Sequence, residues 1–344
     1  MIITYKYRIK SKNTKFLNRL SKEVNFVWNY CNSISIKKMK DGNGFTTEFE
    51  LNKLLAGATK EGLKLNSASI QGVSRIFCKS KKQFKKVSLR WRGKKSLGFI
   101  PVRTLKMLEG GFKFNGKEFR IWKHRDYIGK IKESTIAQDS KGYWYLNLVC
   151  EQEDVVIEKR ETIGVDLGLK TVATDSKGEE YVTENLTKKY AKKLATAQRA
   201  RNKKQVTNIH RKIKNIRKDN NHKISKSIVD KANIVYVGDV SSKKLIKTKM
   251  RKSVYDRSWF QLKSMIHYKA MRAGGYMKEI NESFTTVTCS SCNKRTGPSG
   301  LSNLSKRVWI CSNCGAFHNR DVNSAINIEI LGVGHDSLQR SPCL

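Results

Sequence analysis

The first part of the chain changes its hydrophobic period once. Residues 2–9 alternate between apolar and polar side chains, and this period of two predicts a strand. Apolar side chains then recur every three or four positions, with Asn13 or Thr14 placed to cap the first helix and Asn66 placed before a later one. We therefore expect a strand followed by a helical subdomain over residues 11–85.

Turn residues divide the next part of the chain into short segments. From about residue 87, Gly-Gly, Asn-Gly and Lys-Gly pairs separate short apolar runs. This pattern predicts a small antiparallel sheet, which the strand at 2–9 rejoins. The sequence thus predicts a β-rich domain made of residues 1–10 and 86–158, with residues 153–160 as a charged connector.

The second half of the chain alternates buried strands with helices. Residues 162–173 form an apolar run before a Ser-Lys-Gly turn, which predicts a buried strand that enters a hairpin. Two basic helices follow over 188–226, then an apolar segment at 234–237, an amphipathic helix, and a strand at 276–282. This order is typical of an α/β fold with parallel crossovers.

The charge of the chain indicates a polyanionic partner. The 344 residues include 70 Lys and Arg against 29 Asp and Glu, a formal net charge of +41. Nucleic acid is the leading candidate for the partner, and a solvated basic surface is the alternative. No apolar run approaches the roughly 20 residues of a membrane-spanning helix, and the first residues do not resemble a signal segment. We expect a cytoplasmic protein, associated with the nucleoid if its source is a prokaryote.

The two basic helices are the predicted nucleic-acid surface. Apolar residues recur on one side at helical spacing, which leaves a cationic face that can follow a phosphate backbone. A solvated charged face is the alternative, but few acids lie four residues from the basic ones to balance them. The predicted contacts are Arg199, Arg201, Lys203, Lys204, Arg211, Lys212, Lys214 and Arg217.

Four cysteines have the spacing of a metal site. Cys289 and Cys292 form one Cys-x-x-Cys pair, and Cys311 and Cys314 form a second one, with 18 residues between the two pairs. This spacing predicts a structural zinc ribbon over residues 289–319, with a redox pair as the alternative. Four thiolates leave one bound Zn²⁺ with no open coordination position, so catalysis would have to come from other residues.

Two aspartates are candidates for that chemistry. Asp166 has apolar neighbours inside the predicted strand at 162–173, where an ionised carboxylate is costly unless it is paired or binds a metal. Asp321 lies at the start of a predicted helix, where it could instead serve only as an N-cap.

Taken in order, these motifs resemble the TnpB (OrfB) family of transposon-encoded RNA-guided DNA nucleases, which are similar to compact type V CRISPR effectors. The resemblance rests on Gly164-Val165-Asp166-Leu167-Gly168, Val235-Tyr236-Val237-Gly238-Asp239-Val240, Phe284-Thr285-Thr286-Val287-Thr288-Cys289-Ser290-Ser291-Cys292, Cys311-Ser312-Asn313-Cys314-Gly315 and Arg320-Asp321-Val322-Asn323-Ser324-Ala325. It covers about residues 162–334, while the first 155 residues resemble the family only in layout.

The resemblance implies a particular domain arrangement. An RNase H-like RuvC nuclease domain would comprise residues 161–288 and 320–333, interrupted by the zinc ribbon. The β-rich part would be a wedge domain with the helical recognition subdomain inserted in it, and residues 334–344 would form a tail.

The resemblance also implies a function. The protein would take a guide RNA from the transposon end, recognise a short motif beside its double-stranded DNA target, and cut both strands with magnesium. Two alternatives stay open. The first is a catalytically inactive RNA-guided DNA-binding regulator, and the second is a DNA transposase or junction resolvase that acts without a guide.

One position departs from the family pattern of Asp, Glu and Asp. The glutamate normally ends the second core strand, but here Gly238 stands in its place with Asp239 beside it. Glu282 ends the next predicted strand, and parallel strands about 4.8 Å apart bring their C-terminal ends to one edge. We therefore predict that Asp166, Glu282 and Asp321 are the catalytic acids and would hold two Mg²⁺, as in family branches with a relocated glutamate. Asp239 is the second choice for the third acid, and an exposed strand-end charge is the alternative for Glu282.

Overall fold

The protein was analysed as a computed structural model. It describes residues 1–86, 88–153, 161–240, 254, 257–300, 303 and 305–340, without the side chains of 337–340. The chain divides into two compact units, Met1–Glu153 and Asp154–Leu344. Apart from Glu153, the predicted connector lies outside the described residues. Within the described ranges, no helix is both long enough and apolar enough to cross a membrane.

An antiparallel sheet forms the frame of the first unit. Its eight described strands are β1 (Ile2–Ile9), β2 (Phe99–Val102), β3 (Lys106–Leu108), β4 (Gly111–Phe114), β5 (Lys117–Trp122), β6 (Lys130–Ile131), β7 (Ser134–Gln138) and β8 (Trp144–Glu151). They lie in the order β2-β7-β8-β1-β5-β4-β3, with β6 paired to β8. The first strand therefore lies inside the sheet, as the sequence predicts.

Three helices belong to the same unit: α1 (Thr14–Lys40), α2 (Glu48–Leu54) and α3 (Ser67–Phe84). Their apolar sides and the buried side of the sheet form one hydrophobic core. Leu17 and Val24 of α1 and Phe77 of α3 are fully buried in it, together with Tyr7 of β1. The sequence periods of two and 3.6 thus describe the two layers of one core.

The helix caps follow the sequence prediction only in part. The side chain of Asn66 accepts a backbone N–H in the first turn of α3, as predicted. At α1 the prediction was wrong, because the Asn13 amide donates instead to the Glu118 carbonyl oxygen at 2.9 Å. The Thr14 hydroxyl donates backward to the Ser11 carbonyl oxygen at 2.9 Å, so neither side chain caps the helix.

The second unit contains a mixed sheet of five described strands. They are β9 (Thr162–Asp166), β10 (Ala173–Asp175), β11 (Glu180–Tyr181), β12 (Ile234–Gly238) and β13 (Tyr276–Ile280), in the order β11-β10-β9-β12-β13. Strand β12 is parallel to both of its neighbours, whereas β10 is antiparallel to β9 and to β11. The predicted α/β order with parallel crossovers is confirmed.

Helices pack on both faces of this sheet. They are α5 (Lys203–Lys231), α6 (Trp259–Arg272) and α7 (Arg320–Arg340), while α4 (Leu186–Arg199) packs against α5. Side chains of α5 and α6, such as Ile228 and Leu262, share a core with alternate residues of β9 and β12. Ile328 of α7 packs with Tyr236 and Ile280, which face the other way. Helix α7 extends to Arg340, into the segment that the sequence analysis treats as a tail, and residues 341–344 lie outside the described part.

The apolar run at 162–173 is not one strand. Strand β9 ends at Asp166, and β10 begins only at Ala173. The guanidinium of Arg257 donates to the carbonyl oxygens of Leu169 and Lys170, at 2.7 and 3.3 Å. These two oxygens are therefore bonded to a buried side chain and not to a neighbouring strand. Asp166 therefore lies at the end of a strand and not in its middle.

Candidate functional site

The three predicted acids lie where the parallel strands of the second unit end. Asp166 is the last residue of β9, and Glu282 follows the end of β13 by two residues. Asp321 lies in the first turn of α7, which packs along β9. Asp239 directly follows β12 and is exposed. The carboxyl edge of a parallel sheet is a common place for an active site.

A glycine allows α7 to approach β9 closely. A Cβ atom at Gly164 would lie 2.0 Å from the carbonyl oxygen of Ala325 and 2.7 Å from the amide nitrogen of Glu329. Because backbone meets backbone there, only glycine fits. From the residue just before Ala325, the Ser324 hydroxyl donates to Asp166 Oδ1 at 3.1 Å. The motif at 164–166 thus supplies both the acid and the space for the helix that contacts it.

A second glycine leaves room for the Glu282 side chain. A Cβ atom at Gly238 would lie 2.7 Å from Glu282 Oε2 and 3.3 Å from Ile328 Cδ1. The Glu282 carboxylate therefore occupies space that a side chain at position 238 would fill. Asp239 Oδ1 accepts the backbone N–H of Glu282 at 3.3 Å. Glu282 lies two residues beyond the strand that it was predicted to end, and its catalytic role stays a prediction.

The acids influence one another electrostatically. Burial, together with the nearby charge of Asp321, raises the pKa of Asp166 to about 6. Burial likewise raises the pKa of Glu282 to about 7, with contributions from Asp166 and Asp239. Ionisation of these two carboxyls therefore removes folding stability as the pH rises from the ordinary carboxyl range to about 7. A divalent cation would favour the ionised forms and offset that loss.

The acids are less tightly grouped than the cysteines. Among the described residues, the four cysteines are the group of His, Cys, Asp and Glu side chains whose ligand atoms all lie within 4.8 Å of one another. The carboxylate oxygens of Asp166, Glu282 and Asp321 do not all lie within that distance of one another. Their donor type suits Mg²⁺, which prefers carboxylate oxygens.

Arg307 contacts the site, although the sequence did not predict it. Its Nη1 donates to both carboxylate oxygens of Asp321, at 2.9 and 3.1 Å. The N-cap alternative for Asp321 is wrong, since the side chain of Asn319 accepts the N–H groups of Asp321 and Val322 at 3.0 and 3.4 Å. No local sequence signal marks Arg307, because its position depends on the pairing of two strands.

Those strands form a hairpin beside the cysteine cluster. They are β14 (Val308–Ile310) and β15 (Phe317–Asn319), and they pair antiparallel. The Thr296 hydroxyl donates to Cys311 Sγ at 3.1 Å and lowers the pKa of that thiol to about 6, which favours the thiolate that binds metal. His318, also missed from the sequence, places Nε2 3.0 Å from Cys289 Sγ. The four cysteines could therefore hold one Zn²⁺.

Side chains of α7 tie this cluster to the acids. The amides of Asn323 and Asn327 both donate to the carbonyl oxygens of Thr285 and Thr288, at 2.7 to 3.1 Å. Asn323 Oδ1 also accepts the backbone N–H of Ser290 at 2.9 Å. The segment that leads into the cysteines is thus fixed to the helix that carries Asp321.

Removal of one zinc ligand should destabilise the protein without removing a catalytic group. We expect Cys311→Ser to lower the bound zinc from one per chain to much less, and the thermal midpoint by about 10 °C. Elemental analysis and thermal unfolding measure both effects. The control is Cys78→Ser, a half-buried thiol outside the cluster, which should retain its zinc. Freshly purified wild-type protein without zinc would contradict the prediction.

The predicted nucleic-acid contacts are distributed along α4 and α5. Arg199, Arg201, Lys203, Lys204, Lys212 and Lys214 are exposed, whereas Arg211 and Arg217 are half-buried. Arg217 donates to the Thr187 hydroxyl at 3.0 Å and so links the two helices.

The expected scarcity of balancing acids holds only for the first part of this basic surface. Lys223 pairs with Asp219 at 2.9 Å, and Lys226 pairs with Asp230 at 2.7 Å, in both cases one helical turn apart. The first half of α5, residues 203–218, therefore carries the stronger positive charge.

Parts of the chain are similar in sequence to known proteins. The Cas12f1-like, TNB domain family matches residues 259–328. A protein of Streptomyces pristinaespiralis named as a candidate RNA-guided DNA endonuclease is 31% identical over 216 residues, which is 58% of this chain and 52% of the relative. InsQ of Escherichia coli K12, named in the same way, is 27% identical over 241 residues, or 61% of this chain and 58% of the relative. The chain thus spans a little over half the length of these curated relatives.

A solved structure has a similar fold. It is described as the cryo-EM structure of the Cas12f1-sgRNA-target DNA complex and superposes with a TM-score of 0.62, over 93% of this chain and 83% of the solved chain. Its sequence is 15% identical, so the likeness concerns the fold alone.

Proposed function

We propose that this chain belongs to the TnpB family and is an RNA-guided DNA endonuclease that hydrolyses phosphodiester bonds in guide-matched double-stranded DNA, on the strength of its likeness to relatives named as RNA-guided DNA endonucleases and to the Cas12f1-like family. The observation that carries the proposal is the meeting of Asp166, Glu282 and Asp321 at one sheet edge, with raised pKa values for two of them. In this proposal the second unit contains a RuvC-like nuclease domain with a zinc ribbon, and the first unit is the wedge domain with its helical recognition insert.

The acids would act by holding Mg²⁺. Two such ions would supply Lewis acidity to the leaving oxygen and lower the pKa of the attacking water. Ser324 keeps the Asp166 carboxylate oriented through its hydrogen bond, and Gly238 leaves the Glu282 carboxylate free to turn toward Asp166. Arg307 competes with a cation for Asp321, so cation binding would release its guanidinium toward a phosphate.

Sequence specificity would come from base pairing with a guide RNA. The net charge of +41 and the exposed lysines of α5 suit a protein that holds a heteroduplex by its backbone. A transposon as the source of the guide is part of the same proposal.

The deciding experiment isolates the protein with its RNA. Co-purified RNA is sequenced, and a DNA target that matches it is incubated with the complex and Mg²⁺. We expect cleavage by the wild type and none by Asp166→Ala, with target binding retained in both. Cleavage without any RNA would indicate a guide-independent transposase or resolvase instead.

The basic face of α5 gives a separate prediction. Lys204→Gln with Lys214→Gln should weaken binding of any duplex sequence and reduce the slope of log K against log salt by about 1.8, at roughly 0.9 per phosphate contact. The matched control is Lys223→Gln with Lys226→Gln on the same helix, where acids already balance both charges. Titrations over a range of salt measure both slopes. If the Lys204→Gln, Lys214→Gln variant keeps the same slope as the wild type and the control, α5 presents only a solvated face.

A further inference from the structure

The exposed face of the first unit's sheet carries a row of cations. Lys6, Arg8 and Lys10 occupy alternate positions along β1 and its end, so their side chains leave the same face while the residues between them are buried. Positions two apart on a strand are separated by roughly 6.6 Å. This repeat is close to the distance between successive phosphates of an extended nucleic-acid strand.

An aromatic ring lies beneath each cation. Lys6 Nζ lies 4.3 Å from the ring centroid of Tyr145, Arg8 Cζ 4.0 Å from that of Tyr143, and Lys10 Nζ 4.7 Å from that of Trp122. These rings belong to the strands on either side of β1 or to their ends. A contact of this kind is attractive even at an exposed site and holds a long side chain in place. Side chains that are already ordered lose less entropy on binding.

The surroundings of the row are mainly basic. Arg120 is exposed on the same face of β5, and Glu118 is the acid on that face two residues earlier. The carboxylate of Asp139 accepts hydrogen bonds from the Tyr145 hydroxyl at 3.2 Å and from backbone N–H groups of its own turn. Trp122 is 60% exposed and Tyr143 is 39% exposed, so the face is accessible.

We propose that this face binds an extended single strand of nucleic acid, with successive phosphates on Lys6, Arg8 and Lys10. The regular repeat, together with the net charge of +41, favours a polymer of phosphates over an acidic protein surface. RNA and DNA share this chemistry, and the experiment distinguishes them. The proposal requires a nucleic-acid partner but does not depend on the acids of the second unit.

The test removes the three charges in the full-length protein. Lys6→Gln, Arg8→Gln and Lys10→Gln are combined, and binding of oligouridylate and oligothymidylate about eight nucleotides long is titrated against salt. We expect the slope of log K against log salt to fall by about 2, at roughly 0.7 per phosphate of a single strand. The matched control combines Lys40→Gln, Lys53→Gln and Lys60→Gln, three exposed lysines of the helical part of the same unit, and should retain its slope.

A second variant tests the rings without changing the charge. Tyr143→Leu with Trp122→Leu should weaken binding about threefold or more at constant thermal midpoint, whereas Tyr143→Phe should bind like the wild type.

Each outcome has a distinct meaning. A loss confined to oligouridylate assigns the strand as RNA, and a loss on both oligonucleotides supports a site for either strand. Unchanged slopes on both, or an equal fall in the lysine control, overturn the proposal. Because Asp166→Ala protein is used throughout, this result is independent of whether the protein cuts DNA.

Discussion

Glu282→Gln is expected to reduce magnesium-dependent cleavage of a guide-matched target by about a thousandfold or more, as far as Asp166→Asn or Asp321→Asn. The amide keeps the size of the side chain but removes the charge that would hold a divalent cation beside Asp166. Binding of the matched DNA should stay within about threefold, because the exchange does not alter the basic surfaces. Single-turnover cleavage and binding of uncut target by the same RNA-loaded preparation measure the two effects.

Asp239→Asn is the matched control for this prediction. Asp239 is exposed and, within the described part of the chain, its carboxylate accepts the backbone N–H of Glu282, so its loss should slow cleavage by about tenfold or less. If Glu282→Gln cuts like the wild type and Asp239→Asn does not, the third acid is Asp239. If the wild type does not cut with its own RNA and Mg²⁺, the inactive binding protein is the better description.

The parts of the fold that follow from local patterns could be predicted. Strand β1 alternates because one side of it is a core, and β12 is apolar throughout because helices cover both of its faces. The placement of Glu282 followed from one general property, the shared edge of parallel strands. In the sequence, Gly164 stands out only as part of a motif. The structure shows why glycine is needed there, because the backbone of α7 packs directly against β9.

The parts that depend on distant contacts could not be predicted. Asn13 has the residue type of an N-cap, but the carbonyl oxygen of Glu118, far along the chain, is its partner. The strand at Asp166 ends early because Arg257 takes the carbonyl groups that follow. Arg307 reaches Asp321 only through the register of β14 and β15. In each case a tertiary contact outweighs the local preference.

Moving the glutamate back to the strand should restore part of the activity. Gly238→Ala alone should slow cleavage about tenfold or more, because the new Cβ would lie 2.7 Å from Glu282 Oε2 and displace that carboxylate. The double variant Gly238→Glu with Glu282→Ala removes the conflict and places a carboxylate at the end of β12, next to β9. We expect it to cut at least about tenfold faster than Glu282→Ala alone.

The control for the first exchange is Gly93→Ala, where a Cβ atom meets nothing within 4 Å and cleavage should not change. Thermal unfolding of each variant separates loss of activity from loss of folding. A double variant no faster than Glu282→Ala would mean that the site requires the approach from β13. A Gly238→Ala variant as active as the wild type would mean that the Glu282 carboxylate does not work from the space above Gly238. Rescue by the double variant would show instead that the site requires a carboxylate at this place and not a particular strand to carry it, which is the physical reason why a glutamate can move between neighbouring strands.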